Sequence, residues 1–230
     1  MRIIITGGTG LIGRALASEL LQANYEVILL SRRPAQAEGL PAGVKVVGWD
    51  GKTSQGWGEL ADGAFAIVNL AGENLAGKDW FSIRWTRSRK DGIIQSRLNA
   101  GQAVVEAVRS AKTRPQVVLQ ASAVGYYGPR GTKPVGEGAQ LGSDFLALVC
   151  KDWENSTLPV ELMGVRRVVV RLGVVLSTEG GALSRQMLPF KLFLGGPLGS
   201  GKQGYPWIHL IDAVKAMRFL METPQAQGAY

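Results

Sequence analysis

Three glycines, Gly7, Gly10 and Gly13, follow the first apolar run and open the first helix-period segment. One glycine permits a tight turn, one lets the backbone approach a pyrophosphate, and one lets the helix pack closely on the strand. The helix start then offers free N–H groups and a positive dipole end to the phosphates. This context predicts a dinucleotide site, although a glycine-rich structural turn is the alternative. The expected contacts are Gly7, Thr9, Gly10, Leu11, Ile12 and Gly13.

The residues after the second apolar run indicate which dinucleotide would bind. A protein selective for NAD carries Asp or Glu there to hold the ribose 2′-hydroxyl, whereas this chain has Ser31, Arg32 and Arg33. A guanidinium stacks on adenine and forks onto a 2′-phosphate, which a carboxylate would repel. The sequence therefore favours NADP (NADPH) over NAD, unless both arginines are only surface charges. Asp50 is placed for adenine contacts.

Few side chains offer proton chemistry. Ser122 follows the fifth apolar run, and it either caps a strand end or orients a substrate oxygen. Tyr126 comes shortly after and is a candidate acid or base, although a tyrosine without a partner that lowers its pKa more often packs. The catalytic candidates are therefore Ser122 and Tyr126. The single histidine, His209, is expected to be structural beside a helix start capped by Asp212.

The composition of the chain excludes several kinds of site and several classes of protein. The single cysteine, Cys150, excludes an intramolecular disulfide and a cysteine-based metal site, and no metal is predicted. The net charge of +8 includes a basic cluster from Arg84 to Lys90, which we interpret as a solvated helix face rather than a nucleic-acid patch because stacking aromatics do not interleave it. No apolar run approaches the ~18 residues of a membrane span, and no signal segment opens the chain. A cytoplasmic protein is expected.

Strand-like and helix-like segments alternate along the chain. The predicted strands are Arg2–Thr6, Glu26–Ser31, Val44–Gly48, Phe65–Leu70, Gln116–Ala121 and Arg167–Leu176. The predicted helices are Leu11–Ala23, Arg87–Ser110 and Gly142–Asn155. This order indicates an α/β fold with a doubly wound parallel sheet, the Rossmann fold. We expect one domain over 1–230, in which residues 177–210 form a small, loop-rich, substrate-side region.

Further motifs carry a resemblance beyond the glycine loop: Asn69–Asn74, Ser122–Gly128, Asp144–Leu146 with Trp153 and Glu154, Arg171–Leu176, Gly195–Gln203 and Trp207–His209. Together they resemble the extended short-chain dehydrogenase/reductase superfamily, in its atypical branch of NAD-dependent epimerase/dehydratase-like "epimerase family" proteins. The resemblance runs from Met1 to Tyr230. It implies a further C-terminal segment, so the substrate-side region is expected to be truncated and its pocket open on one side.

The resemblance also implies roles for particular residues. Ser31 and Arg32 would hold the adenosine phosphate, and the loop Leu70, Ala71 and Gly72 would contact the adenosine side. Arg97 and Val175 would border the cofactor. The glycine-rich stretch Gly195–Gln203 would form either a lid over substrate or a plain surface loop.

One departure from that superfamily concerns its usual tyrosine–lysine pair, in which the tyrosine is the general acid or base and a lysine four residues later on the same helix face lowers the pKa of that tyrosine. Leu146 stands at the usual tyrosine place and Cys150 at the usual lysine place, while Lys151 faces about 100° away around the helix. The implied function is an NADP-dependent oxidoreductase or epimerase acting on a small carbonyl or sugar-like substrate. The alternative is a non-catalytic NADP(H) sensor or scaffold, so whether the protein is an enzyme stays open. A homodimer is the expected assembly if the chain self-associates.

Overall fold

The computed structural model describes residues 1–75, 84–197 and 199–230, so Leu198 of the glycine-rich motif lies outside the described residues. The strands are β1 (Arg2–Thr6), β2 (Glu26–Ser31), β3 (Lys45–Gly48), β4 (Ala66–Asn69), β5 (Val117–Ala123), β6 (Arg166–Leu172), β7 (Val174–Ser177), β8 (Trp207–His209) and β9 (Gly228–Ala229). The helices are α1 (Leu11–Gln22), α2 (Arg87–Ser110), α3 (Phe145–Ser156), α4 (Pro159–Leu162), α5 (Gly181–Lys191) and α6 (Leu210–Glu222).

Seven strands form one parallel sheet in the order β3-β2-β1-β4-β5-β6-β9. The chain winds outward from β1 in one direction and then returns to continue from β4 in the other, which confirms the predicted doubly wound fold. β1 is central, and its three middle residues, Ile3, Ile4 and Ile5, are apolar and fully buried, with Ile4 opposite Ile28 of β2 and Ile67 of β4. The strand order reverses between β1 and β4, and ligands bind such sheets at the carboxyl ends of the strands where this happens.

Helices cover both faces of the sheet and bury its apolar side chains. On one face, Leu16 and Leu20 of α1 and Met217 of α6 pack against the odd residues of β1. On the other face, Ala100 and Val104 of α2 pack against Ile4 and its neighbours. Burial on both faces explains why the strands read as continuous apolar runs rather than as alternating ones.

The predicted sixth strand is wrong in one respect, because it divides at Gly173. β6 stays in the main sheet, whereas β7 leaves it and pairs in parallel with β8. A Cβ on Gly173 would lie 2.9 Å from the backbone oxygen of Pro206, so a side chain here would push the two segments apart. The valine pattern is apolar on either side of Gly173 and carries no sign of this close approach.

The substrate-side stretch from 177 to 210 contains an ordered helix, α5, in addition to its loops. The helix after it begins at Leu210, earlier than predicted. His209 caps it, since its Nδ1 accepts a hydrogen bond from the Ile211 N–H at 3.3 Å. Asp212 therefore lies within the first turn instead of capping it. Within the described ranges, no helix has the length and apolar character needed to cross a bilayer.

Candidate functional site

A cleft of about 760 Å³ opens at the carboxyl ends of the central strands, where the strand order reverses. The structure brings together there all but two of the residues predicted for the site. Those that line the cleft are Gly7, Thr9, Gly10, Leu11, Ile12, Gly13, Ser31, Arg32, Leu70, Ala71, Gly72, Arg97, Ser122 and Val175. Asp50 and Tyr126 do not line it.

The turn between β1 and α1 depends on glycine at two places. Gly7 has a φ of +67°, and a Cβ there would lie 2.8 Å from the backbone carbon of Leu70. A Cβ on Gly13 would lie 2.5 Å from the Cα of Gly8, so the start of α1 packs directly on the turn. Contacts shorter than 3.0 Å cannot be accommodated by backbone without movement. Gly7 therefore lets the loop lie against the residues after β4, and Gly13 lets α1 pack on the loop.

Gly10 precedes α1 and has no side chain that could cover the first N–H groups of the helix. It is the N-cap residue of α1, no side chain caps the helix, and its first turn carries no acidic residue. A Cβ on Gly10 would meet only the backbone oxygen of Gly7, at 3.3 Å, and would otherwise stand in open space. The first N–H groups of a helix lack intrahelical partners. Here they face a cleft that can hold an anion.

Arg32 stands at the edge of the cleft beyond β2. Its side chain is exposed, and no ion pair joins it to any residue of the described part of the chain. Its aliphatic stem lies along Gly51, where a Cβ would come 3.2 Å from the Arg32 Cδ. Ser31 is buried, and its Oγ accepts a hydrogen bond from the Arg33 N–H at 3.1 Å. The Arg32 guanidinium is therefore available for a ligand phosphate.

Asp50 is turned away from the cleft to stabilise the turn after β3. Its carboxylate accepts hydrogen bonds from the backbone N–H groups of Thr53, at 2.8 Å, and Lys52, at 2.7 Å. These bonds, with that from Thr53 the strongest influence, lower the pKa of Asp50. Its neighbours Trp49 and Gly51 line the cleft instead. The sequence position was right to one residue, but the carboxylate is engaged locally.

Arg97 lies on α2 and reaches the cleft wall while only 8% exposed. It donates hydrogen bonds to the backbone oxygens of Glu73, at 3.2 Å, and Ile93, at 3.0 Å. Its guanidinium lies 4.8 Å from the ring centre of Trp153, a cleft residue that the sequence did not indicate. Burial lowers the pKa of Arg97. No carboxylate among the described residues pairs with this cation.

Ser122 lies near the end of β5 at the floor of the cleft and is joined to a buried ion pair. Its Oγ donates a hydrogen bond of 2.6 Å to the Oε1 of Glu154 on α3. Arg171 on β6 in turn donates to both oxygens of Glu154, at 2.8 and 2.9 Å. Hydrogen bonds to Glu154 raise the pKa of Arg171. All three side chains are almost fully shielded from water.

Tyr126 packs against this ion pair rather than facing the cleft. The residues after β5 form a short 3₁₀ turn, Val124–Tyr127. The turn brings the Arg171 guanidinium carbon to 3.6 Å from the Tyr126 ring centre, and the Tyr127 hydroxyl accepts a hydrogen bond from Arg171 at 2.9 Å. The structure therefore gives Tyr126 a cation–π role beneath the cleft.

Helix α3 carries no tyrosine at the place where the short-chain dehydrogenase/reductase superfamily usually has one. Leu146 is half-buried there, and Cys150 is buried one turn later. Burial raises the pKa of the Cys150 thiol, which keeps it neutral. Lys151 is exposed, on another side of the helix. The two positions are occupied by packing residues, as the sequence predicts.

A ladder of buried polar side chains crosses three adjacent strands beneath the cleft. Thr6 donates to Asn69 at 2.7 Å, and the Asn69 amide donates to Gln120 at 2.8 Å. The Thr6 hydroxyl also accepts from the Ala71 N–H at 3.2 Å, which holds the Leu70–Ala71 loop over the cleft. All three ladder residues are fully buried. Their satisfied hydrogen bonds fix the relative heights of β1, β4 and β5.

The stretch Gly195–Gln203 was expected to be either a lid over substrate or a plain surface loop. No described residue of Gly195–Gln203 lines the cleft. The first turns of α5 do so instead, through Gly181, Ala182 and Arg185. The sequence pattern did not indicate these residues of α5. It contained Glu154 in a motif but gave this residue no role, although its charge on a helix face that buries Val149 and Trp153 was an available signal.

Comparison with known proteins gives a consistent family. The family model for the NAD dependent epimerase/dehydratase family matches residues 3–145. An epimerase family protein of Staphylococcus saprophyticus is 37% identical over 228 residues, which cover 99% of this chain and 73% of that protein. The chloroplastic SDR39U1 homolog of Arabidopsis thaliana, also an epimerase family protein, is 36% identical, with 99% of this chain and 64% of that protein covered.

Solved structures share the fold over the whole chain. The human epimerase family protein SDR39U1 (isoform 2), crystallised with NADPH, is 34% identical with a TM-score of 0.83, covering 100% of this chain and 72% of that one. A nucleoside-diphosphate sugar epimerase of Corynebacterium glutamicum is also 34% identical, with a TM-score of 0.78, covering 100% of this chain and 45% of that one.

Proposed function

This chain belongs to the NAD-dependent epimerase/dehydratase family, and from that premise we propose that it binds NADP(H) and catalyses oxidoreduction or epimerisation of a small carbonyl or sugar-like substrate. The observation that carries the proposal is the open start of α1. Its glycine loop leaves unpartnered N–H groups facing a cleft large enough for a dinucleotide. The human relative of 34% identity, crystallised with NADPH, supports the same cofactor.

The residues present fit the parts of this cofactor. The turn at Gly7, Gly10 and Gly13 would hold the pyrophosphate, since a side chain at any of the three would meet backbone or fill the cradle. Arg32, which has no ion-pair partner in the described ranges, would bind the 2′-phosphate bidentately. The absence of an acidic residue at Ser31–Arg33 favours NADP over NAD.

When bound, the nicotinamide would supply or accept the hydride, which is chemistry that no side chain provides. The chain's own contribution is binding and orientation. Ser122 and Arg97 lie on the walls of the cleft, so they would contact the substrate or the reactive end of the cofactor. Leu146 stands where the short-chain dehydrogenase/reductase superfamily usually has its tyrosine acid, so the proton would have to be exchanged through water or the substrate itself.

The absence of the tyrosine–lysine pair favours a second function, that of a non-catalytic NADP(H) sensor or scaffold. A protein without the tyrosine–lysine pair can still hold NADP(H), and its bound form would then be recognised by a partner as a sensor or scaffold. The positions of Leu146 and Cys150, both engaged in packing, support this alternative. Ser122 at the cleft floor, with its oriented hydroxyl, supports the enzyme.

Absorbance of the reduced nicotinamide distinguishes the two functions. Purified protein is mixed with NADPH and a library of small ketones, aldehydes and sugar-like carbonyl compounds, with protein carrying Gly10→Val as the control. Oxidation that exceeds the control with at least one compound supports the enzyme. NADPH binding without oxidation by any compound supports the sensor, and failure of the wild type to bind NADPH would contradict the proposal.

A further inference from the structure

The direction of the hydrogen bond between Ser122 and Glu154 determines what Ser122 can offer to a ligand. Glu154 receives two hydrogen bonds from Arg171, at 2.8 and 2.9 Å, and both groups are nearly enclosed by protein. A carboxylate held in this way is ionised, and an ionised carboxylate can only accept. In the 2.6 Å contact between the two oxygens, Ser122 must therefore be the donor. That distance is typical of a hydroxyl bonded to a charged oxygen.

A serine hydroxyl has one proton and two lone pairs. Because the proton of Ser122 is directed at Glu154, only lone pairs remain for the cleft that Ser122 lines. The Cys150 thiol beside Ser122 does not compete for the proton, since burial raises its pKa and a neutral thiol is a weak acceptor. Releasing the proton would leave a charged oxygen of Glu154 short of one hydrogen bond in a dry site, which is unfavourable.

We infer that Ser122 acts in this cleft as a hydrogen-bond acceptor, so the ligand group that it binds is a donor: a hydroxyl or an amide N–H, and not a carbonyl oxygen. Glu154 and Arg171 are positioning residues: Glu154 accepts the hydrogen bond that Ser122 donates, and Arg171 keeps Glu154 ionised. The assignment rests on the proposed function and refines it, because it names the chemical character of the bound group. A substrate would then be recognised through its alcohol rather than its ketone.

Two ligands can supply such a donor, and matched probes separate them. The carboxamide of NADP⁺ has N–H donors, whereas the 3-acetylpyridine analogue of NADP⁺ carries a methyl ketone at the same place and has none. Cyclohexanol and cyclohexanone form a second pair, which differ in the same way and represent the substrate. Cofactor affinities are measured by quenching of tryptophan fluorescence, and affinities of the second pair by ligand-observed NMR on protein saturated with NADP⁺.

The proteins compared are wild type, Ser122→Ala and Ser110→Ala. Ser110 is an exposed serine at the end of α2 whose hydroxyl donates to the backbone oxygen of Ala107, so its loss is a matched control outside the cleft. A melting curve of each protein verifies folding. If the alanine variant at 122 fails to fold, Ser122→Cys, which replaces the hydroxyl by a weak hydrogen-bonding group, takes its place.

We expect wild type to prefer the donor member of at least one pair by about three- to tenfold, as one hydrogen bond provides. Ser122→Ala should bring that preference close to one, while Ser110→Ala keeps it. Preference within the cofactor pair would identify the carboxamide as the donor, and preference within the cyclohexyl pair would identify the substrate hydroxyl.

Wild-type preference for the acetyl analogue or for cyclohexanone, lost in Ser122→Ala, would show that Ser122 donates and would overturn the assignment. Equal affinities within both pairs, or preferences that survive in Ser122→Ala, would overturn it as well. Failure of the wild type to bind NADP⁺ at all would instead refute the proposed function, so the two failures are distinguishable.

Discussion

Glu154 accepts hydrogen bonds from Ser122 and Arg171 in a place that water hardly reaches. Two buried charges are costly to dehydrate, and they stabilise a fold only while they are paired. The same carboxylate also links α3 to β5 and β6, since these residues lie on three different elements. Its removal should therefore affect both the stability of the fold and the polarity of Ser122.

We predict that Glu154→Gln lowers the free energy of unfolding by about 3 kcal/mol, because it leaves the Arg171 charge without a counter-ion in a buried site. Urea denaturation followed by circular dichroism measures this change. Asp152→Asn is the matched control, since Asp152 is exposed on the same helix and should alter stability by no more than about 0.5 kcal/mol. Equal effects of the two substitutions would show that the ion pair contributes nothing.

Arg32 decides the choice of cofactor in our proposal. We predict that Arg32→Glu weakens NADPH binding at least about tenfold, because a charge-assisted bond to the 2′-phosphate is replaced by repulsion. Binding of NADH, which lacks that phosphate, should change little. Isothermal titration calorimetry with both cofactors tests this, and Arg33→Glu, an exposed residue that does not line the cleft, is the control. Equal losses for NADPH and NADH would place the selectivity elsewhere.

Cys150 should make stability depend on alkaline pH. Because burial raises the pKa of its thiol above the unfolded value of about 8.5, the folded state holds this proton more tightly than the unfolded chain. The stabilisation is complete below the unfolded pKa and is lost as the pH rises through the folded pKa, with a slope of up to about 1.4 kcal/mol per pH unit. Unfolding free energies of wild type and Cys150→Ala from pH 7 to 10.5 should converge. Parallel curves would contradict the prediction.

In the turn between β1 and α1, glycine is required for two different reasons. Gly13 packs on the backbone of Gly8, whereas Gly10 borders open space. An added methyl group at Gly13 would therefore displace the start of α1, and one at Gly10 would occupy the place of a bound phosphate.

We predict that Gly10→Ala weakens NADPH binding tenfold or more while changing the melting temperature by less than about 3 °C. Gly13→Ala should lower both the affinity and the free energy of unfolding, the latter by roughly 1–3 kcal/mol as overpacking does. Fluorescence titration and thermal melting of the two variants test the distinction. A Gly10→Ala protein with normal affinity would remove the glycine loop from the phosphate site.

At this scale the sequence predicted most elements closely, because strands buried on both faces give apolar runs that local pattern alone reveals. The bounds of β1, β2 and α2 were confirmed without change. The elements that were missed depend on contacts distant in sequence. The division of β6 from β7 follows from the approach of Gly173 to Pro206, and α5 begins at a glycine and contains Pro189, both of which argue against a helix locally.

The sequence predicted the parts of the site that are formed by the backbone. It did not predict the orientation of side chains that have more than one available hydrogen-bond or packing partner. Glycine positions and the end of each strand follow from the motif and from the fold class. The prediction for Asp50 was wrong because the N–H groups of its neighbours Lys52 and Thr53 bind its carboxylate. The prediction for Tyr126 was wrong because its ring packs against Arg171, which lies 45 positions further along the chain. Such choices are set by three-dimensional neighbours.

For the whole molecule, cofactor binding should appear as added stability. The cleft is lined by β2, β5 and β6, by the loops that follow β1 and β4, and by the first turns of α1 and α5, so a dinucleotide in it would contact both halves of the sheet. We predict that NADPH at 100 times its Kd adds about 2.7 kcal/mol and raises the melting temperature by roughly 5–10 °C. Differential scanning calorimetry measures this, with NADH at the same concentration as the control. An unchanged melting temperature with NADPH would contradict binding to the native state.

The buried ladder of Thr6, Asn69 and Gln120 also has a practical consequence for spectroscopy. The side-chain amides of Asn69 and Gln120 are enclosed and bonded, so their hydrogens should exchange with deuterated solvent far more slowly than those of surface amides. In a sample labelled with ¹⁵N at asparagine and glutamine, their signals would outlast those of surface side chains. The protein therefore contains two side-chain amide groups whose slow exchange would report that this part of the sheet is intact, without any attached dye.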